Sequence, residues 1–115
     1  MDSKDWAEAT AKAFDELWRK ECDEVAKPEW WNDEGLKALS ARVVRAAPND
    51  EGANTMRADA LSGGAGAWEA GPRSAAELRE AATHYERAAA LCPAPAMKAE
   101  YAELADRCRS RAEAM

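Results

Sequence analysis

The only histidine of the chain, His84, is where any chemistry would have to begin, with Glu80 one helical turn before it and Glu77 two turns before. A metal site needs more than one imidazole or a tight group of carboxylates, and this spacing supplies neither. A nucleophile and its base need a cysteine beside the imidazole, so Cys22 or Cys108 would have to reach His84 through the fold. His84 therefore reads as a surface residue on the polar flank of its helix. The cysteines, Cys22, Cys92 and Cys108, are odd in number and have no C-x-x-C spacing, which argues against a disulfide framework and a zinc site and for small buried apolar residues in a reducing, intracellular compartment. The stretch SGGAGAWEAGPR over residues 62–73 holds four glycines but no Lys-Ser or Lys-Thr, and no strand precedes it, so it does not cradle a phosphate. No catalytic, cofactor-binding or metal-binding residue is assigned, and the chain reads as non-enzymatic.

The residues that remain are suited to touching a partner. Trp30 and Trp31 stand side by side in Glu29-Trp30-Trp31-Asn32-Asp33, and Trp68 stands in the glycine-rich loop. Trp is enriched where binding energy concentrates. With Asn54 and Arg57 these three make up the candidate partner-binding set. The alternatives are that Trp30 and Trp31 pack beneath their connector and that Trp68 folds back to anchor its loop.

Positioning these residues falls to helices. The chain has 115 residues, enough for one domain, and 29 of them are alanine, roughly a quarter, while isoleucine is absent and phenylalanine occurs once. Alanine has the best helix propensity and holds neighbouring helices least far apart, and the β-branched and aromatic residues that fill sheets are scarce. The class is all-α, and five helices in antiparallel succession are expected near 5–26, 33–47, 50–61, 74–92 and 95–112. In the first, Trp6, Ala9, Ala13, Phe14, Leu17, Trp18, Cys22 and Val25 form the expected apolar stripe, and Pro28 ends it. Asp33 can cap the second, with Leu36, Leu39, Val43 and Ala46 or Ala47 inward and Pro48 as the stop. Ala53, Met56, Ala60 and Leu61 mark the third. The fourth is the most sharply defined: Leu78, Ala81, Tyr85, Ala88 and Leu91 recur at helical spacing, Ser74 and Glu77 form a capping box, and Pro93 stops it. Met97, Tyr101, Leu104, Ala105 and Cys108 share one face of the last.

Charge narrows the partner. The net charge is −6, and it is spread over the chain, −4 in residues 1–57 and −2 in residues 58–115. Nucleic acid and anionic membrane are poor partners for such a surface. Arg107, Arg109 and Arg111 suit the end of a last helix, where cations complement the macrodipole, or else a docking site for an acidic partner. No apolar run reaches the roughly 20 residues of a membrane span, and the charged start lacks the apolar core of a secretory signal, so a soluble, cytoplasmic protein is expected, with an organelle not excluded.

The order Ala81, Tyr85, Ala88, Leu91, Pro93 resembles the second helix of a tetratricopeptide repeat, in which small residues let the hairpin's helices approach and an aromatic fills the gap between repeats. Ala53, Met56 and Ala60 sit where the first helix of such a repeat carries packing residues. The small residue due at Glu69 comes at Ala81, so residues 62–73 would be a twelve-residue insertion, and the Trp, Leu-Gly and Tyr of the family's first helix are absent. The resemblance implies an N-terminal helical hairpin over 5–47, a degenerate hairpin over 50–93 and a capping helix over 95–112. It also implies a non-catalytic adaptor that binds a peptide or protein in a groove. The alternative is an accessory subunit docked permanently into a larger complex through exposed Trp residues.

Overall fold

The computed structural model describes residues 3–19, 28–63 and 68–115, which form five helices and no strand: α1 (Ser3–Arg19), α2 (Asp33–Ala46), α3 (Glu51–Ser62), α4 (Ala75–Leu91) and α5 (Pro95–Glu113). The end of the first expected helix, with Cys22 and Val25, lies outside the described residues. The helices start where side chains can satisfy the open N–H groups of a first turn. Asp50 accepts from the Ala53 amide at 2.8 Å at the head of α3. Ser74 and Glu77 form the expected capping box on α4, with bonds of 3.1 and 3.0 Å. Pro95 opens α5, where its missing N–H costs nothing. On α2 the cap is Asn32, whose Oδ1 accepts from the Gly35 amide at 2.8 Å, and not Asp33. This shift by one residue frees the Asp33 carboxylate for a different task.

α3 is the central element, because it is buried on two faces. Ala53, Met56 and Ala60 belong to a core shared with α1, α2 and Trp68, while Ala58 and Leu61 belong to a second core shared with α4 and α5. The polar contacts order the helices: Asn54 meets His84 and Arg57 meets Glu80, so α3 and α4 run in opposite directions. Glu51 meets Tyr101 and Ser62 meets Arg111, so α5 follows α3 in the same sense. Ala81, Ala82 and Ala88 are fully buried in the second core, where the absence of side-chain bulk brings α4 against its neighbours.

Two expected faces are corrected. On α1 the buried residues are Ala7, Ala11 and Phe14, while Ala9 and Ala13 are exposed. α1 passes close to α3 on this face, where a Cβ on Gly52 would stand in ordinary contact with that of Ala11, at 3.5 Å. On α4, Leu91 in the last turn is 38% exposed, and the neighbouring Cys92 is buried in its place. On α2 Leu36, Ser40 and Val43 are buried, Leu39 and Ala46 pack against the first core, and Ala47 is buried just past the helix end.

The two Trp residues of the 28–32 connector lie in a turn and both are half-buried against the first core. Trp31 stacks on Phe14 with ring centroids 5.4 Å apart, and Trp30 lies 5.9 Å from Trp31. The tightness of this turn needs Gly35, since a Cβ there would fall 2.5 Å from the Trp30 carbonyl oxygen. Trp68 completes the cluster, with ring centroids 5.6 Å from Trp18, 5.9 Å from Trp31 and 6.3 Å from Phe14. Its indole N–H donates to Asp33 Oδ1 at 3.1 Å. Trp68 thus anchors its segment onto the helices.

The packing of α4 predicts the effect of adding volume at its small positions. Ala88 is fully buried, so Ala88→Leu is expected to lower stability by about 1–3 kcal/mol in chemical denaturation, through overpacking of a helix crossing; a change near zero would contradict the close approach described for α4.

Candidate partner-binding groove

Asn54 and Arg57, two of the candidate contact residues, turn out to be internal ties. Asn54 is fully buried, and its amide nitrogen donates to the Pro48 and Asp50 carbonyls at 3.0 and 2.9 Å. Its oxygen is left to accept, so the 2.9 Å contact with His84 Nδ1 places the hydrogen on that nitrogen. Arg57 reaches across three helices, donating to the Lys37 carbonyl and Ser40 Oγ of α2 at 2.9 and 3.2 Å and to Glu80 of α4 at 3.0 Å. Both were legible as polar residues, but polar side chains in a buried seam hold helices together and are not offered to solvent. His84 is corrected likewise: its side chain is 12% exposed, between Asn54 and Glu80, whose carboxylate lies 3.4 Å from Nε2. Burial depresses the His84 pKa against the opposing pull of Glu80.

Trp30, Trp31 and Trp68 are gathered by the fold into a single aromatic cluster on Phe14, and Trp68 is only 8% exposed. Trp30 and Trp31 keep part of their surface exposed, while Trp68 is turned inward.

The surface feature that could receive a partner lies elsewhere, in a groove of about 460 Å³ where α1, α3 and α5 converge. Phe14, Met56 and Met97 line its apolar part, and Tyr101 donates to Glu51 Oε2 at 2.9 Å within it. The remaining lining is rich in carboxyl groups: Glu8 and Asp15 from α1, Asp50 at the cap of α3, and Glu51 and Asp59 within it, with Lys12 as the single cation of the lining. Asp50 caps α3 and Glu51 is held by Tyr101, so these charges are fixed in place. No helix among the described residues is long and apolar enough to cross a membrane, and no group of three or more metal-ligating side chains occurs among them.

Asp59 has the most altered chemistry. Tyr85 Oη donates to its Oδ1 at 2.5 Å, and Ser62 Oγ lies 3.4 Å from the same hydroxyl. Burial raises the Asp59 carboxyl from its ordinary 3.8 to about 7, the Tyr85 hydrogen bond opposes the rise, and the charge of Asp15 adds to it. Tyr85 in turn is raised well above the usual tyrosine range, first by burial and then by Asp59.

A folded-state pKa above the unfolded one means that the folded protein holds the proton more tightly. The stability this confers is complete below about pH 4 and is lost as pH rises through about 7. His84 acts in the opposite sense, because its depressed pKa costs stability as acid protonates it. The expected outcome is that wild type loses on the order of 2 kcal/mol relative to Asp59→Asn between about pH 4 and pH 8, read by chemical denaturation at each pH; a difference that does not vary with pH would contradict the protonated state of Asp59.

No family model, curated protein or solved structure matches this chain.

Proposed function

We propose that the protein is a non-catalytic interaction module, a small helical adaptor whose α1, α3 and α5 groove receives a cationic, partly apolar segment of a partner protein. The observation that carries this reading is the groove's lining: the carboxylates of Glu8, Asp15, Asp50 and Glu51 against one lysine, with the proton-holding Asp59 beside them, around a floor of Phe14, Met56 and Met97. Like charges gathered around one groove, two of them held in place at Asp50 and Glu51, are relieved by lysine or arginine side chains, while the apolar floor accommodates the residues between them. The volume of about 460 Å³ suits a few side chains and not a whole domain.

A degenerate tetratricopeptide hairpin is the architecture we propose around this groove. It is supported by the opposite directions of α3 and α4 and by the burial of Ala81, Tyr85 and Ala88. In this reading α5 caps the array, with Tyr101, Ala105 and Cys108 inward.

Calorimetric titration with a synthetic peptide alternating lysine and leucine, and with its glutamate counterpart, tests the reading. The lysine peptide is expected to bind and the glutamate peptide not to. Glu8→Lys should weaken binding about tenfold and Lys12→Glu should strengthen it, with both effects shrinking at high salt. Equal binding of the two peptides, or indifference to both substitutions, would overturn the cationic partner.

A further inference from the structure

The acidic groove is one half of a longer trough. α1, α3 and α5 run along it in the same sense: Ala11 approaches Gly52 and the charge of Asp15 bears on Asp59, while Tyr101 bonds Glu51 and Arg111 bonds the Ser62 carbonyl. Gly52, Thr55, Met56 and Asp59 of α3 line the groove, and Ser62 and Gly63 continue them at the same helical spacing into a second cleft of about 530 Å³. Trp18, further along α1, and Leu104, Arg107 and Arg111, further along α5, flank that cleft, and Asp59 is common to both. We infer that groove and cleft form a single partner-binding trough of opposite charge at its two ends, suited to a segment of a partner protein with lysine or arginine at one end and aspartate or glutamate at the other. The inference rests on the acidic groove being the partner site, to which it adds the second cleft and the acidic end of the ligand.

The charge changes sign along the trough. Glu8, Asp50 and Glu51 line the end formed by the helix starts, with Asp15 nearer the middle. Arg107 and Arg111 stand at the other end, where Asp59 is the only carboxyl group of the lining. Arg111 is exposed, donates to the Ser62 carbonyl at 3.0 Å and is paired with no carboxylate among the described residues. Arg107 meets Glu103 at 2.8 Å, but the two side chains are 66% and 64% exposed, so the pair is weak and leaves donors of the guanidinium open to a second carboxylate. Arg73, in the wall of the cleft, is engaged by Asp33 and takes no part.

The separation of the two ends sets the length of the ligand. From Glu51 to Ser62 is eleven residues of α3, about 16 Å at 1.5 Å per residue, which exceeds the screening length of about 8 Å at physiological salt. The ends therefore do not neutralise one another across the trough, and a segment that carries both signs satisfies both. An extended chain covers that distance in about five residues. Between its charged ends, apolar residues meet the half-buried Trp18, Met97 and Leu104.

Calorimetric titration of the whole chain with end-blocked hexapeptides tests the trough, using Lys-Lys-Leu-Leu-Glu-Glu, its Gln-ended counterpart Lys-Lys-Leu-Leu-Gln-Gln, and the uncharged Gln-Gln-Leu-Leu-Gln-Gln. The Glu-ended peptide is expected to bind about tenfold tighter than the Gln-ended one, although the latter, with its net positive charge, is the one favoured by the overall charge of −6. Arg111→Gln should remove most of that preference, and Arg107→Gln with Arg111→Gln all of it, while the Gln-ended peptide still binds and shows the trough intact. A Glu-ended peptide that binds no tighter than the Gln-ended one, or a preference that survives in the double variant, would overturn the two-ended trough and leave the acidic groove standing. A Gln-ended peptide that binds no better than the uncharged one would overturn the acidic groove itself and the trough with it.

Discussion

The carboxylate of Asp33 sits where four segments of the chain meet, and it lets an arginine be buried there. Arg73 is almost wholly withdrawn from water, and an unpaired guanidinium in that position would cost several kcal/mol of lost hydration. Asp33 meets it with both oxygens and accepts from the Trp68 indole with one of them. Arg73 then reaches on to the Ala60 carbonyl near the end of α3, and Lys37, 3.6 Å from Asp33, bonds Glu77 in the first turn of α4 at 2.6 Å. The hydrogen bond from Arg73 is the main reason that the Asp33 carboxyl is held well below the usual range, with burial opposing and Trp68 assisting. The start of α2, the segment before α4 and the end of α3 are thereby fixed relative to one another, and the second cleft has a rigid wall.

The same constraint explains why α3 can be short and still central. An α-helix of 12 residues buried on two sides has little surface left for solvation, so its polar side chains must find partners inside. Asn54, Arg57 and Asp59 do so, toward α4 and α2 in the first two cases and toward Tyr85 in the third. These bonds add direction to a core in which alanine is the commonest residue, and which by itself would leave helix register weakly determined. The acidic groove and the second cleft lie along one face of this helix and share Asp59 as a lining residue.

Much of this was legible in the sequence where the signal is local. The capping box of α4, the burial of Leu78, Ala81, Tyr85 and Ala88, and the proline boundaries of α2, α4 and α5 all follow from residues within a few positions of one another. The α2 cap was misplaced by one residue because Asn32 and Asp33 have nearly equal capping preference, and only the distant demand of Arg73 separates them. The face of α1 was misread because alanine is as common outside as inside in this chain, so Ala9 and Ala13 carry no more information than Ala7 and Ala11. Asn54, Arg57 and His84 resemble surface residues by type, and their burial is set by partners 17 to 30 positions away. The groove was invisible for the same reason, since Glu8, Glu51 and Tyr101 have no sequence relation and are united only by packing. Trp68, by contrast, stood out through its size in a glycine-rich stretch, which needs an anchor.

A double-mutant cycle on Asp33→Asn and Arg73→Gln, followed by chemical denaturation, measures the interaction on which this arrangement rests. A buried, bidentate pair is expected to show a coupling of roughly 2 kcal/mol or more, because either single substitution leaves a partner without its counter-charge. A coupling below about 0.5 kcal/mol, the size seen for exposed ion pairs, would contradict the role given to Asp33.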